Sequence, residues 1–309
     1  MIRIVIAGTS PFGLPSWQAL FDTPAIEVVG VISQPAKPVG RRQVVTPSAV
    51  VTWAHDHKLL TLTPVNWRDE AARRQLREWK PDVLVVAAYG LIVPTAVLEI
   101  PKHGCLNIHA SLLPAYRGAS PISAAIVNGD TVTGITFMHM DAGMDTGPTL
   151  SQFSCPILPA DTTPSLSDRL AALAAEHIVA TVKGYVARDL RPKPQPPNST
   201  LAKKITRADG QMTWDSGQRL ERMARAYTPW PGLWTTWRKQ TLKILAGSFT
   251  PQARSEPPGT VVQYENGWGI VCHDGLFLPA RVQFEGKQPQ PAERILGSYP
   301  GWLGSRLGN

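Results

Sequence analysis

Apolar positions follow two different rhythms along this chain, and the change comes close to residue 190. Before it, short continuous apolar runs rich in β-branched residues alternate with longer stretches in which apolar side chains recur every three to four positions. Arg3–Ala7, Glu27–Ile32, Asp82–Ala88, Cys105–His109 and Ile135–Met140 read as buried strands. Pro47–Lys58, Arg68–Trp79 and Pro164–Val186 read as amphipathic helices, the last with Leu166, Leu170, Leu173 and Ile178 roughly along one face. Strands alternating with helices predict an α/β fold with a largely parallel, doubly wound, Rossmann-like sheet. Residues 191–200 carry four prolines and no other apolar side chain, which predicts an extended, semi-stiff linker. Beyond it the period shortens. One helix is expected at Leu220–Tyr227, then short strands at Leu233–Trp237, Thr241–Leu245, Gly259–Gln263, Gly269–His273 and Gly275–Phe284. Short strands at this spacing suggest a small C-terminal β-barrel, with the OB-like version favoured. The expected division is a first domain over 1–189, a linker over 190–205 and a barrel over 206–309.

Charge sharpens this division. The chain is 309 residues long with a net charge of +8. Residues 1–189 hold 15 Lys/Arg and 15 Asp/Glu, whereas residues 190–309 hold 16 and 8. The whole excess lies in the last third, where it can attract a polyanion such as nucleic acid or simply form a solvated basic surface. No apolar run reaches the ~20 residues needed to span a bilayer. The opening residues are too short and strand-like for a signal peptide. Cys105, Cys155 and Cys272 are far apart and lack metal-type spacing, which fits a reducing, cytoplasmic setting. His55 and His57 point to different sides of a helix, so no metal site is expected. No exposed apolar helix stripe stands out, and a monomer is expected.

Ligands of a doubly wound sheet gather at the carboxyl ends of its strands. Asn107 and His109 alternate onto one face at the end of a predicted strand. Asp141-Ala142-Gly143-Met144-Asp145-Thr146-Gly147-Pro148 follows another. An amide, an imidazole and a carboxylate thus fall on loops at plausible sheet ends. Such a trio can serve acyl transfer to an amine without an enzyme nucleophile. An α-amino group has a pKa of about 7.7–8.0, so a useful fraction is already neutral. What needs help is the oxyanion and the departing proton, which donors and a poised imidazole can supply. Taken singly, a histidine at a strand end is usually structural, and an Asp-Ala-Gly segment is usually a turn.

The segment from Asn107 through Ile108-His109-Ala110-Ser111-Leu112-Leu113-Pro114-Ala115-Tyr116-Arg117-Gly118-Ala119-Ser120 to Pro121 resembles the signature loop of the folate-dependent formyltransferases. Asp141–Pro148 resembles their second motif, and the likeness extends over essentially the full chain. Within the family, Ala88–Pro94, Gln34–Ser48, the proline-rich linker and the basic C-terminal region are most similar to the enzymes acting on initiator methionyl-tRNA. The resemblance implies 10-formyltetrahydrofolate as donor and assigns catalysis to Asn107, His109 and Asp145. It implies folate contacts at Ser111, Leu112, Leu113 and Pro114, and a pterin pocket helped by Tyr89, Gly90, Leu91 and Ile92. It implies that the loop holding Lys37, Arg41 and Arg42 engages the tRNA acceptor stem, with Arg41 entering among the end base pairs. Relatives often have extra lysines after the Gly-Arg; here the run is Gly40-Arg41-Arg42-Gln43-Val44. The alternatives are a sugar-nucleotide amine as acceptor, hydrolysis of formyl-folate, and an RNA-binding protein with an inactive formyltransferase fold.

Overall fold

In the computed structural model, which describes residues 1–40 and 42–308, the apolar runs of the first half assemble into a seven-stranded sheet. In chain order the elements are β1 (Ile2–Gly8), α1 (Leu14–Phe21), β2 (Ile26–Ile32), a hairpin of β3 (Lys37–Val39) and β4 (Val44–Thr46), and α2 (Ala49–Asp56). Next come β5 (Thr61–Leu62), α3 (Glu70–Glu78), β6 (Val83–Ala87), α4 (Thr95–Leu98), β7 (Cys105–His109) and β8 (Arg117–Gly118). They are followed by α5 (Pro121–Asn128), β9 (Val132–His139), β10 (Thr149–Pro156) and α6 (Thr163–Val186). The sheet order is β10-β9-β7-β6-β1-β2-β5.

The five strands from β5 to β7 are parallel. β6 reads Val-Leu-Val-Val-Ala and is buried at every position, as a central parallel strand covered on both faces requires. Helix starts are fixed locally: Ser48 caps Val51 N–H at 3.1 Å, and Asp69 caps Ala71 N–H at 2.9 Å. The order turns around at β1, because the chain goes outward to β2 and β5 before returning to β6 on the other side. The loops after β1 and β6 meet at this switch point, where Thr9 Oγ1 donates to the Tyr89 carbonyl at 2.8 Å. At the β7 edge the sheet changes character: β9 and β10 are antiparallel additions. The sheet is therefore mixed, and β10 has no counterpart among the predicted strands.

The remaining elements are β11 (Leu201–Ala202), α7 (Gly217–Ala226), β12 (Leu233–Trp237), β13 (Gln240–Thr250), β14 (Val261–Tyr264), β15 (Gly267–Cys272), β16 (Gly275–Phe284), β17 (Gln290–Pro291) and α8 (Arg294–Ser298). β12 to β17 form an antiparallel sheet in the order β12-β13-β16-β15-β14, with β17 on β16. α7 packs on β13 and β16. Trp237, Phe284, Tyr299, Trp302 and Trp268 form a chain of edge and stacked ring contacts that fills the core.

Two compact units result. One holds Met1–Pro121, Val132–Pro156 and Ser167–Lys203; the other holds Ile122–Thr131, Ile157–Leu166 and Lys204–Asn309. The proline-rich stretch, expected as a linker, belongs to the first unit. Lys193 pairs with Thr149, and β11 pairs in parallel with β8. No helix among the described residues is long and apolar enough to cross a membrane.

Candidate active site

Alternation along β7 sends Asn107 and His109 to one face and Ile108 to the other. Both candidate side chains thus sit within the strand itself, not on a loop after it. The carboxylate reaches them by an indirect route. Because β9 runs antiparallel to β7, its last residue, His139, lies opposite Leu106, and His109 lies opposite Thr136. The 141–148 loop therefore starts beside the amino end of β7, where Met140 N–H donates to the Cys105 carbonyl at 2.8 Å. This differs from the expected loop at a carboxyl end, and the cause is the antiparallel edge. The loop folds back: His139 N–H donates to the Pro148 carbonyl at 2.9 Å. That close return needs glycine, since a Cβ at Gly147 would lie 1.9 Å from the His139 carbonyl oxygen.

The fold-back delivers Asp145 to the face of β7. Its Oδ1 accepts from Asn107 Nδ2 at 3.2 Å, and its Oδ2 accepts from the Gly118 N–H at 2.8 Å. His109 Nδ1 lies 3.5 Å from Asp145 Oδ2, beyond the range of an ordinary hydrogen bond but within strong electrostatic reach. His109 Nε2 meets the Tyr116 carbonyl at 2.9 Å. Both ring nitrogens thus face oxygen acceptors, and the side chain is only 5% exposed. Asp145 and Tyr116 hold φ of +53° and +59°, a left-handed conformation that non-glycine residues adopt at a cost. The surroundings must enforce it. Gly118, at φ +113°, brings its backbone against Ala202, where a Cβ would sit 2.6 Å from the carbonyl oxygen.

The flanking motif residues divide by role. Ser111 is fully buried, and its hydroxyl donates to the Ala115 carbonyl at 2.6 Å, so it ties the loop to itself. Leu113 is buried, with its N–H on Thr136 Oγ1 at 3.0 Å and its carbonyl receiving Gln152 Nε2 at 2.7 Å. Leu112 and Pro114 are half-buried. In the loop after β6, Tyr89 is buried, Leu91 half-buried, Gly90 exposed at φ +79°, and Ile92 86% exposed. Gln34 Nε2 and Thr9 Oγ1 both donate to the Tyr89 carbonyl at 2.8 Å, which pins this loop at the switch point.

The β3–β4 segment is a two-stranded hairpin with Lys37 opposite Thr46 and Val39 opposite Val44. Lys37 donates to Gln34, and Arg42 is exposed. Arg41 lies outside the described residues. Val39, Val44 and Val45 are 57%, 58% and 65% exposed, an apolar surface on a projecting element.

Several residues that hold the trio carry no motif-like signal. Gln195, in the proline-rich stretch, donates through Nε2 to the Asp145 carbonyl at 2.8 Å and the Gly147 carbonyl at 2.7 Å. Its Oε1 accepts from Arg117 at 2.8 Å and 3.0 Å. Thr200 Oγ1 accepts from Tyr116 N–H at 2.8 Å. The only sequence hint was polar residues interrupting the prolines. Nearby ionisable groups are not tuned for covalent attack. Burial pushes the Cys105 thiol up to about 12, which keeps it protonated near neutrality. Burial lowers the pKa of His139, against an opposing pull from Asp141. Tyr185 hydroxyl donates to the His103 carbonyl, so the contact at 2.7 Å places the His139 proton on Nδ1.

Comparison with known proteins matches both halves of the chain. Residues 2–182 match the formyl transferase family and residues 204–300 match the formyl transferase C-terminal domain. The chain is 40% identical over 306 residues to methionyl-tRNA formyltransferase of Idiomarina loihiensis, covering 96% of each. It is 41% identical over 298 residues to that of Marinobacter nauticus, again covering 96% of each. Among solved structures, an N-formyltransferase from Helicobacter canadensis, in complex with folinic acid and dTDP-3-aminofucose, superposes with a TM-score of 0.67 at 18% identity. It covers 94% of this chain and 100% of the other, a likeness of fold. With both halves matched and near-complete relatives at this identity, the chain belongs to the methionyl-tRNA formyltransferase family.

Proposed function

We infer that this protein transfers the formyl group of 10-formyltetrahydrofolate to the α-amino group of methionine on initiator tRNA, yielding N-formylmethionyl-tRNA. The observation that carries the reading is the meeting of Asn107, His109 and Asp145 on one face of β7, inside a chain of this family. The donor supplies an activated acyl carbon, and the neutral amine supplies the electron pair. Asn107 spends one amide hydrogen on Asp145 and keeps a second for the oxygen that becomes negative. His109 provides a second donor by exchanging its Tyr116 bond for the oxyanion. As the new C–N bond forms and the tetrahedral centre collapses, the bond from the formyl carbon to the folate nitrogen breaks, and that nitrogen leaves with the proton given up by the attacking amine, relayed by His109, which Asp145 orients.

Folate contacts are assigned to the Tyr89–Ile92 loop and the Ser111–Pro114 segment. The first combines an open glycine backbone with exposed Ile92, as a flat heterocycle with polar edges would require. Ser111 acts there through the loop it ties. The β3–β4 hairpin, with Lys37, Arg41 and Arg42, is assigned to the acceptor stem. The antiparallel C-terminal sheet is read as an OB-like barrel within a domain over 206–309, whose charge excess draws tRNA phosphates. A cytoplasmic monomer is the working form. The test offers formyl-folate with charged initiator tRNA, with a sugar-nucleotide amine, or with no acceptor, and follows the formyl group. Transfer to the methionine amine is expected. Transfer to the sugar amine, or release as formate alone, overturns the reading.

A further inference from the structure

We propose that Gln195 is a positioning residue for catalysis: it acts as a clamp that holds Asp145 in its left-handed conformation against Asn107 and His109. The inference rests on the catalytic reading of Asp145.

Asp145 reaches the site only because the 141–148 loop folds back over β7. At φ +53° its backbone tends to relax to negative φ, which would swing the carboxylate away from the strand. Within the loop, Asp141 Oδ1 accepts from Gly143 N–H at 3.0 Å and Thr146 Oγ1 at 2.7 Å, which shapes the turn before Asp145. The Asp145 carbonyl and the Gly147 carbonyl two residues on belong to the strained residue and the turn that follows it, and one side chain takes both. Gln195 Nε2 has two hydrogens, and the two carbonyls accept them at 2.8 Å and 2.7 Å. The other end of the same amide is fixed by the Arg117 guanidinium, which settles which atom is oxygen and which is nitrogen. A glutamine oriented by an arginine fork presents its donors in one direction only.

Gln195 is itself anchored. Lys193 and Thr149 exchange backbone hydrogen bonds, Lys193 N–H donating at 2.7 Å and Thr149 N–H at 2.8 Å. Further along the same stretch, Thr200 holds Tyr116, whose carbonyl meets His109 Nε2. The stretch between the two matched family regions therefore supports the residues facing both ring nitrogens. Among its side chains, Gln195 alone bonds the backbone of the carboxylate residue.

Two substitutions separate a clamp from ordinary packing. Gln195→Glu keeps the chain length and the Arg117 partner but removes both donors. Gln195→Ala removes everything. If Gln195 positions Asp145, both variants lose turnover by about 10-fold or more, because small displacements of a reacting group are costly. KM values for formyl-folate and methionyl-tRNA stay near wild type, and thermal melts show folded protein. The same substitutions in an Asp145→Asn background then add little, since residues acting through one another are not additive. Wild-type turnover in Gln195→Glu overturns the proposal, because the Arg117 contact alone would then suffice. So does a full, multiplicative further loss in the Asp145→Asn background. If Asp145→Asn alone turns over normally, the catalytic reading of Asp145 fails instead.

Discussion

Two long segments leave the same sheet and are built in opposite ways. The 141–148 loop is covered by bonds from elsewhere: Asn107, Gly118 and Gln195 all hold Asp145 or its backbone. The β3–β4 hairpin is held by its own ladder and by a contact from Lys37 to Gln34 at its root, and it leaves three valines open to water. On the proposed function, the difference matches the task assigned to each. Chemistry gains from a geometry fixed before substrate arrives, since reorganisation then adds nothing to the barrier. A surface that reads a large partner can be completed by that partner, and apolar side chains beside cationic ones suit the stacked bases and phosphates of an RNA end. One region is finished in the free protein; the other presents unsatisfied surface.

The contrast can be broken most forcefully at the finished region. Asn107→Ala, His109→Ala and Asp145→Asn should each lower kcat by about 100- to 1,000-fold with the fold retained, as loss of an oxyanion donor or its support does. Near-normal turnover in the His109 variant would remove its assigned role. At the open region, Arg41→Leu should sharply reduce formylation while formyl-folate binding stays constant. Rates on two tRNAs, one paired and one mismatched at the first acceptor position, sharpen this test. Opening a matched pair costs a few kcal/mol that a mismatch avoids. If Arg41→Leu keeps the wild-type ratio of the two rates, the hairpin does not read the end. Arg42→Leu should do less, mostly flattening the salt dependence of binding, with the slope falling by about 0.9 for each phosphate no longer neutralised.

Gly147→Ala tests the fold-back itself. A Cβ placed 1.9 Å from a backbone oxygen forces the loop away, so denaturant melts should show a loss of about 1–3 kcal/mol and turnover should fall with it. The smallest effect concerns pH. The pKa of His139 is lowered by burial below its ordinary value of 6.5, so the unfolded chain takes up its proton first as pH drops. Its contribution to stability is therefore complete above about pH 6.5 and is lost as pH falls toward the folded-state value. Thermal melts across pH 5 to 8 should show this slope, and His139→Gln should flatten it. A slope unchanged by that substitution assigns the pH dependence to other groups.

The sequence spoke clearly where one physical rule governed. The short apolar runs Ile4–Ala7 of β1 and Val83–Ala87 of β6, rich in β-branched residues, read as buried strands, and the i, i+2 spacing of Asn107 and His109 put them on one face. β10 was not legible because an edge strand need satisfy only one face and one neighbour; Ser151, Gln152 and Ser154 break any apolar pattern, and the strand ends in proline. The path of the 141–148 loop was hidden by the direction of β9, which no local pattern encodes. The proline-rich stretch announced its prolines but not its docking. That docking rests on the Lys193–Thr149 and β11–β8 backbone pairs and on side-chain bonds from Gln195 and Thr200, which have no periodicity to detect. Arg41, singled out by resemblance, lies outside the described residues.

The docking of β11 on β8 bears on how such proteins can be recombined. A splice placed just before the prolines would look harmless, yet it would exchange the glutamine and threonine that hold Asp145, Gly147 and Tyr116 for residues shaped by another scaffold. Hybrids between relatives should keep activity with a junction after Lys203 when 122–131 and 157–166, which belong to the second unit, come from the same parent as 204–309, and lose it with a junction at 190. On the proposed reading, the catalytic cassette extends past its folded sheet to Lys203.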